Sequence, residues 1–277
     1  MSVGDGRTYL IKGRELPSVT TILSVLGKPA LINWAAKAER DYFLKELQPL
    51  MNEPTGLVSC KSLAEKTSAW LDSPLQANVL KNKAAEIGSK AHALIEWEIR
   101  GILKQERGEK PIVPETSLRA FEAWKQWAAS VAFEPLEAEQ AVYSFKHGYA
   151  GTMDLYARVE GRLQVVDWKT SKAIYPESYL QNIAYREAAN ELGKPSDGGL
   201  ILRLPKNEGD PPFEAVPVPA EVTFDQFLAA FALWKFQRRW DTFKQAKEVK
   251  PKPINPYEQT QNERELAEWL DQQEEKK

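Results

Sequence analysis

Cysteine is nearly missing from this sequence: Cys60 is the only one among 277 residues. A lone cysteine excludes an internal disulfide framework and fits a reducing compartment. It also excludes an iron–sulfur cluster held by four cysteines of this chain. Histidine is almost as scarce, with only His92 and His147, too few donors for a His/Cys zinc site. No apolar run is long enough to span a bilayer. The N-terminal MSVGDGRTYLIKGRELPSV has no secretory apolar region, so a cytoplasmic protein with no membrane partner is expected. There is no G-x-x-x-x-G-K-[ST] loop, hence no recognisable nucleotide-driven motor, and no G-x-S-x-G elbow of a serine hydrolase. No internal repeat is apparent. A strong positive balance is missing too. The net charge is −2, so any nucleic-acid surface has to come from local clustering of basic residues. What remains is ordinary for a globular chain: 43% hydrophobic and 27% charged residues, with room for one large domain or two small ones.

The informative stretch runs from Gly148 to Tyr185, GYAGTMDLYARVEGRLQVVDWKTSKAIYPESYLQNIAY. Tyr149 to Val159 is rich in aromatic and β-branched residues and stops at Glu160-Gly161. Leu163 to Trp168 follows as a short apolar run, and the two read as a hairpin. Asp154 lies inside the first strand. Asp167 and Lys169 flank Trp168 at the end of the second, and strand alternation points them to one side. Two carboxylates and an ammonium then converge at one sheet end. Burying them costs several kcal/mol unless they are paired or hold a metal. Oxygen donors of this kind suit a hard divalent cation such as Mg²⁺. A bare D-x-K is common, and alone it reads as a solvated turn with Lys169 paired to Asp167 or Asp154. More is present here. Gln181 and Tyr185 stand four apart on one face of a helix-like run. Gly88, His92 and Glu96 share another.

The rest of the chain supplies the frame. A short strand is expected around Tyr9-Leu10-Ile11, then a helix capped by Ser18 and ending at Gly27. A second helix begins at Pro29. Residues 48 to 81 read as mixed structure broken by Pro49, Pro54 and Pro74. Helices are expected from Asn82 to Arg100 and from Ser117 to Ser130, the latter with a core stripe of Phe121, Trp124 and Trp127. Glu137 to Phe145 reads as the first sheet strand, with Glu139 and Glu137 equivalent on spacing alone. Pro176 opens the helix of Gln181 and Tyr185. Strands follow at Gly199 to Leu204 and Phe213 to Val218, then an apolar helix from Phe224 to Phe243. Its end turns basic through Lys235, Arg238, Arg239, Lys244, Lys247, Lys250 and Lys252, against Asp241 and Glu248. That run complements a helix dipole, or it tracks a nucleic-acid backbone. The tail past Tyr257 is polar and acidic, with a short helix or partner-binding motif around Leu266, Trp269 and Leu270. Pattern alone describes an α/β or α+β chain with a mixed sheet.

The set Gly88/His92, Gly151-Thr152-x-Asp154, Asp167-Trp168-Lys169-Thr170 and Gln181/Tyr185 resembles the PD-(D/E)XK nuclease superfamily in its RecB-like exonuclease branch. PSVTTIL and KPALINWAAK near the N-terminus are similar to the same branch, which includes the mitochondrial genome maintenance exonuclease and phage-borne enzymes. The resemblance implies a restriction-endonuclease-like core: a central mixed sheet flanked by helices, behind a helical N-terminal region. It divides the chain into residues 1–130 (helical region of the nuclease domain), 131–247 (catalytic core and C-terminal helix) and 248–277 (flexible charged tail).

The same resemblance implies Mg²⁺ or Mn²⁺ and no iron–sulfur cluster. Metal ligands are expected at His92, Asp154, Asp167 and the Trp168 carbonyl. Lys169, Gln181, Tyr185 and Glu139 are expected to join Asp154 and Asp167 in catalysis. Ser18, Thr20, Lys28, Thr170, Lys172, Arg238 and Arg239 are the expected DNA contacts. The implied reaction is hydrolysis of single-stranded DNA from a free end, in replication, recombination or repair, in a bacterial or phage-infected cell. A structure-selective endonuclease or resolvase would use the same residues. A non-catalytic DNA-binding scaffold would be free to lose one of Asp154, Asp167 and Lys169. A protein partner is expected at the acidic tail.

Overall fold

A computed structural model describes residues 6–52 and 59–248. The chain opens with an antiparallel hairpin, β1 (Thr8–Ile11) and β2 (Arg14–Pro17). Lys12 and Gly13 turn it with φ of 49° and 76°, the doubly positive pair of tight hairpins. Ser18 caps α1 (Val19–Leu23) as expected, its hydroxyl accepting from the Thr21 N–H at 3.0 Å. The helix stops at Leu23 and not at Gly27. Ser24, Val25 and Leu26 instead donate to carbonyls three residues back, and the chain unwinds through turns.

Helix α2 (Pro29–Met51) carries Pro49 inside its last turns. The expected break at Pro49 is therefore displaced: a proline this close to a helix end removes one hydrogen bond without stopping a long helix. Pro54 lies outside the described residues. The mixed region also contains a complete helix, α3 (Cys60–Leu71). The ring of Trp70 in α3 meets Phe43 of α2 at 4.8 Å, so packing between distant residues decides its formation. Helix α4 (Gln76–Ile102) begins before Asn82. Leu75 offers no capping side chain, and Glu39 of α2 accepts from the Ala77 N–H at 3.0 Å instead. A carboxylate at a helix N-terminus satisfies an orphan donor and complements the dipole.

Helix α5 (Glu115–Ser130) precedes a five-stranded sheet in the order β3 (Phe133–Ser144), β4 (Tyr149–Val159), β5 (Arg162–Lys169), β6 (Gly198–Arg203), β7 (Glu214–Pro217). Only the β5–β6 pair is parallel, and α6 (Pro176–Glu191) makes that crossover. Helix α7 (Phe224–Glu248) closes the described chain. The sheet is covered on both faces. On one side Ile95, Phe121, Trp124 and Trp127 from α4 and α5 pack on Leu155, Val166, Trp168 and Leu202. On the other, Ile22, Ile183, Ala184 and Phe227 from α1, α6 and α7 pack on Val142, Tyr149, Met153 and Val165. The fold is the mixed α/β sandwich that the sequence predicts.

Contacts divide the chain into two units. Gly4–Trp234 holds everything above, up to the first turns of α7. The other, Lys235–Lys277 with Met1–Val3, shows the stacked rings of Phe236 and Trp240, 6.4 Å apart and exposed. Lys250, Lys252, the prolines after them and the tail with Leu266, Trp269 and Leu270 lie outside the described residues. Among the described residues no helix is long and apolar enough to cross a membrane.

Candidate active site

Strand β4 changes face in mid-course. Tyr149 and Met153 pack toward α6 and α7, whereas Leu155, Ala157 and Val159 pack toward α4 and α5. A strict period of two would put all five on one face. The reversal falls at Asp154. Across from it on β3, Glu139 sits at a positive φ of 49°, an uncommon backbone state for a residue with a Cβ. The ladder pairs Ala138 with Leu155 and Gln140 with Met153 but skips Glu139 and Asp154. Both carboxylates leave the regular pleat at the same point, and α4 brings His92 there. One donor atom each from His92, Glu139 and Asp154 lies within 4.8 Å of the others. Two carboxylates and an imidazole at this spacing fit a single divalent cation.

The two oxygens of Asp154 are used differently. Oδ2 accepts from the Trp168 N–H at 2.8 Å, and Oδ1 lies 3.6 Å from His92 Nδ1. Burial works against the Asp154 charge, but His92, Lys169 and the Trp168 N–H outweigh it and hold its pKa low. Burial likewise opposes protonation of His92, and the charge and hydrogen bond of Asp154 reverse the balance to raise it. Glu139 is pushed up to about 7, first by burial and then by the charge of Asp154.

Asp167 and Lys169 leave β5 on the face covered by α6, as alternation predicts. Trp168 between them points the other way, into the cluster of Trp124 and Trp127. Gln181 of α6 binds this pair together. Its Nε2 donates to Asp167 Oδ1 at 3.1 Å and to the Tyr185 hydroxyl at 3.1 Å, while its Oε1 accepts from Lys169 Nζ at 3.3 Å. Asp167 Oδ2 takes no directed hydrogen bond and is met by the Lys169 ammonium as an ion pair. Burial pushes the Asp167 carboxyl up to about 6 against the pull of Lys169. Burial also holds the Tyr185 hydroxyl well above its ordinary value, reinforced by Asp167 and Asp154. Tyr185 lies over Gly151, where an added Cβ would stand 2.3 Å from a ring carbon. Gly88 has the parallel role on α4: a Cβ there would meet Thr170 Oγ1 at 2.8 Å.

The structure thus brings His92, Glu139, Asp154, Asp167, Lys169, Gln181 and Tyr185 together where the end of β5 lies beside the middle of β3 and β4. Glu137, equivalent to Glu139 by spacing, pairs with Lys194 instead. Ser18 is buried and its hydroxyl is occupied with Thr20 and Thr21, so its side chain faces the protein rather than solvent. Thr20 is exposed, and Lys28 pairs with Glu177 at the start of α6. Thr170 is half-buried beside Gly88, and Lys172 is exposed. Arg238 and Arg239 are exposed on α7 in the Lys235–Lys277 unit. Sequence spacing has no signal for one further neighbour, Tyr9 of β1, whose hydroxyl lies 3.0 Å from Thr152 Oγ1. A contact across 143 residues of chain leaves no periodicity to read.

No curated protein matches the chain. Among family models, residues 61–276 match that of the PD-(D/E)XK nuclease superfamily.

Proposed function

The chain belongs to the PD-(D/E)XK nuclease superfamily, and from that premise we propose that it is a divalent-metal-dependent exonuclease acting on single-stranded DNA ends. The observation that carries the reading is the meeting of Asp154 from mid-β4 with Asp167 and Lys169 from the end of β5, with His92 and Glu139 completing a cation-sized donor set. A scaffold protein would have no reason to keep two buried aspartates this close together.

His92, Glu139 and Asp154 would hold the ion, with Asp167 and the Trp168 carbonyl beside it. When bound, Mg²⁺ or Mn²⁺ would lower the pKa of a water and offset charge building on the phosphoryl group. The chain's own groups do the positioning. The Trp168 N–H holds Asp154 in one orientation. Gln181 and Asp167 hold the Lys169 ammonium, on a side chain about one-fifth exposed, where it can donate to the attacking water or a phosphate oxygen. Tyr185 keeps Gln181 in place. Thr20, Lys28, Thr170, Lys172, Arg238 and Arg239 are the proposed backbone contacts. Residues 1–130 and 131–247 are proposed as parts of one nuclease domain, serving replication, recombination or repair.

End dependence is supported by the long helices α2 to α4 ahead of the core and by the PSVTTIL and KPALINWAAK stretches. Helices flanking the metal-binding end can form a passage that a single strand threads and a circle cannot. The test compares linear and circular single-stranded DNA of one sequence, with Mg²⁺ and then Mn²⁺. The expected result is metal-dependent loss of the linear form only. Equal loss of the circle would replace the exonuclease by an endonuclease with the same site, and no cleavage in either metal would sink the enzyme reading.

A further inference from the structure

The N-terminal hairpin is attached to the sheet beside the site. Ser18, at the junction of β2 and α1, bridges in parallel to Ala150 of β4. The backbone of Arg7 is fixed to that junction, its carbonyl accepting from the Ser18 N–H at 2.9 Å and the Thr21 hydroxyl at 3.1 Å. Two residues on, Tyr9 is tied to Thr152, which stands two residues before Asp154. The Arg7 guanidinium lies over the Tyr9 ring, 5.0 Å from its centroid. Arg7 is exposed, and among the described residues no carboxylate pairs with it.

An arginine on a surface is usually a solvated charge. This one is held from both ends: its backbone by the α1 cap, its side chain by a ring fixed to the catalytic strand. Stacking on an aromatic face leaves the in-plane N–H edges of a guanidinium open, and that fork matches two phosphate oxygens. Its charge is also felt at the metal-binding cluster. Burial dominates at Glu139 and raises its pKa, and Arg7 pulls the other way.

We infer that Arg7 and Tyr9 form a phosphate clamp: the Arg7 guanidinium binds non-bridging oxygens of the strand lying across the site, and Tyr9 fixes its position. The clamp rests on the nuclease reading for its substrate, so its test includes binding without cleavage. Wild type, Arg7→Ala and Arg7→Lys are compared on a labelled single-stranded oligonucleotide, by anisotropy in Ca²⁺ over a salt series and by cleavage in Mg²⁺ or Mn²⁺. Arg7→Ala is expected to raise Kd and KM about ten- to hundredfold, as for loss of a charge-assisted pair, with kcat changed less. Its log–log salt slope becomes shallower by about one. Arg7→Lys recovers the slope but only part of the affinity, because it keeps the charge and loses the fork. Melting temperature stays at the wild-type value, since the Arg7 carbonyl and not its guanidinium ties the hairpin down.

Wild-type Kd, KM and salt slope in Arg7→Ala would overturn the clamp. A lowered melting temperature with an unchanged slope would overturn it too, making Arg7 a structural residue. An Arg7-dependent slope in a protein that cleaves nothing upholds the clamp and sinks the nuclease reading. A wild type that binds no DNA overturns both.

Discussion

Lys169 has a choice of partners that a solvated lysine lacks. It is ion-paired to Asp167 and hydrogen-bonded to Gln181, so its ammonium is held where a freely rotating side chain would wander through water. The same logic separates the two aspartates. Asp154 is oriented by a backbone N–H and keeps one oxygen toward His92, while Asp167 is neutralised by Lys169. Asp154→Asn and Asp167→Asn change charge with little change of volume. Each is expected to lower cleavage by about two to three orders of magnitude while circular dichroism stays that of the wild type. His92→Ala is expected to move the metal-activation curve to higher concentration. End-labelled DNA digested over a metal titration reads all three variants, and an aspartate variant at wild-type rate would remove that residue from the site.

At the scale of elements, the face reversal of β4 is what assembles the candidate site. It lets one strand contribute Met153 to one core and Leu155 to the other, with Asp154 turned toward His92 at the crossing. Helix α6 can come close to that point only because Gly151 has no side chain beneath Tyr185. Gly151→Ala would force the Tyr185 ring away. Over-packing of this sort costs about 1–3 kcal/mol, and displacing Tyr185 also loosens Gln181 from Asp167 and Lys169. Chemical denaturation should therefore show lost stability together with reduced turnover. A variant with full activity and wild-type stability would mean that Tyr185 can move without consequence.

Over the whole molecule, buried and half-buried ionisable groups link stability to pH. Glu139 is held up to about 7 and Asp167 up to about 6, and His92 is raised as well. Each binds its proton more tightly folded than unfolded, so the folded state carries more protons between the ordinary carboxylate range and about pH 7. Stability then falls as pH rises through that window. Asp154, with its lowered pKa, acts in the opposite sense, but only at and below the ordinary carboxylate range. The metal-free protein is expected to melt at a lower temperature at pH 7.5 than at pH 5.5. A divalent ion, by replacing the protons, should recover the difference, and Glu139→Gln should flatten it. Calorimetry in EDTA across that range checks the sign, and a melting temperature that climbs with pH contradicts it.

The β4–β5 hairpin and the shared face of Asp167 and Lys169 were legible in the sequence, because a period of two and a turn at Glu160-Gly161 are local properties; the order of strands in the sheet was not, because pairings such as β5 with β6 join segments separated by a helix. The helical spacing of Gln181 and Tyr185 was legible likewise. Spacing could not tell which of Glu137 and Glu139 lies beside Asp154, since that depends on a positive φ and a skipped ladder pair. Only the tertiary structure decided that α3 forms through Trp70 against Phe43, and that Glu39 starts α4. Tyr9 reached Thr152, and His92 reached Asp154, by the same kind of event. These contacts join residues far apart in the chain, and their free energy exists only once packing has removed the water between them.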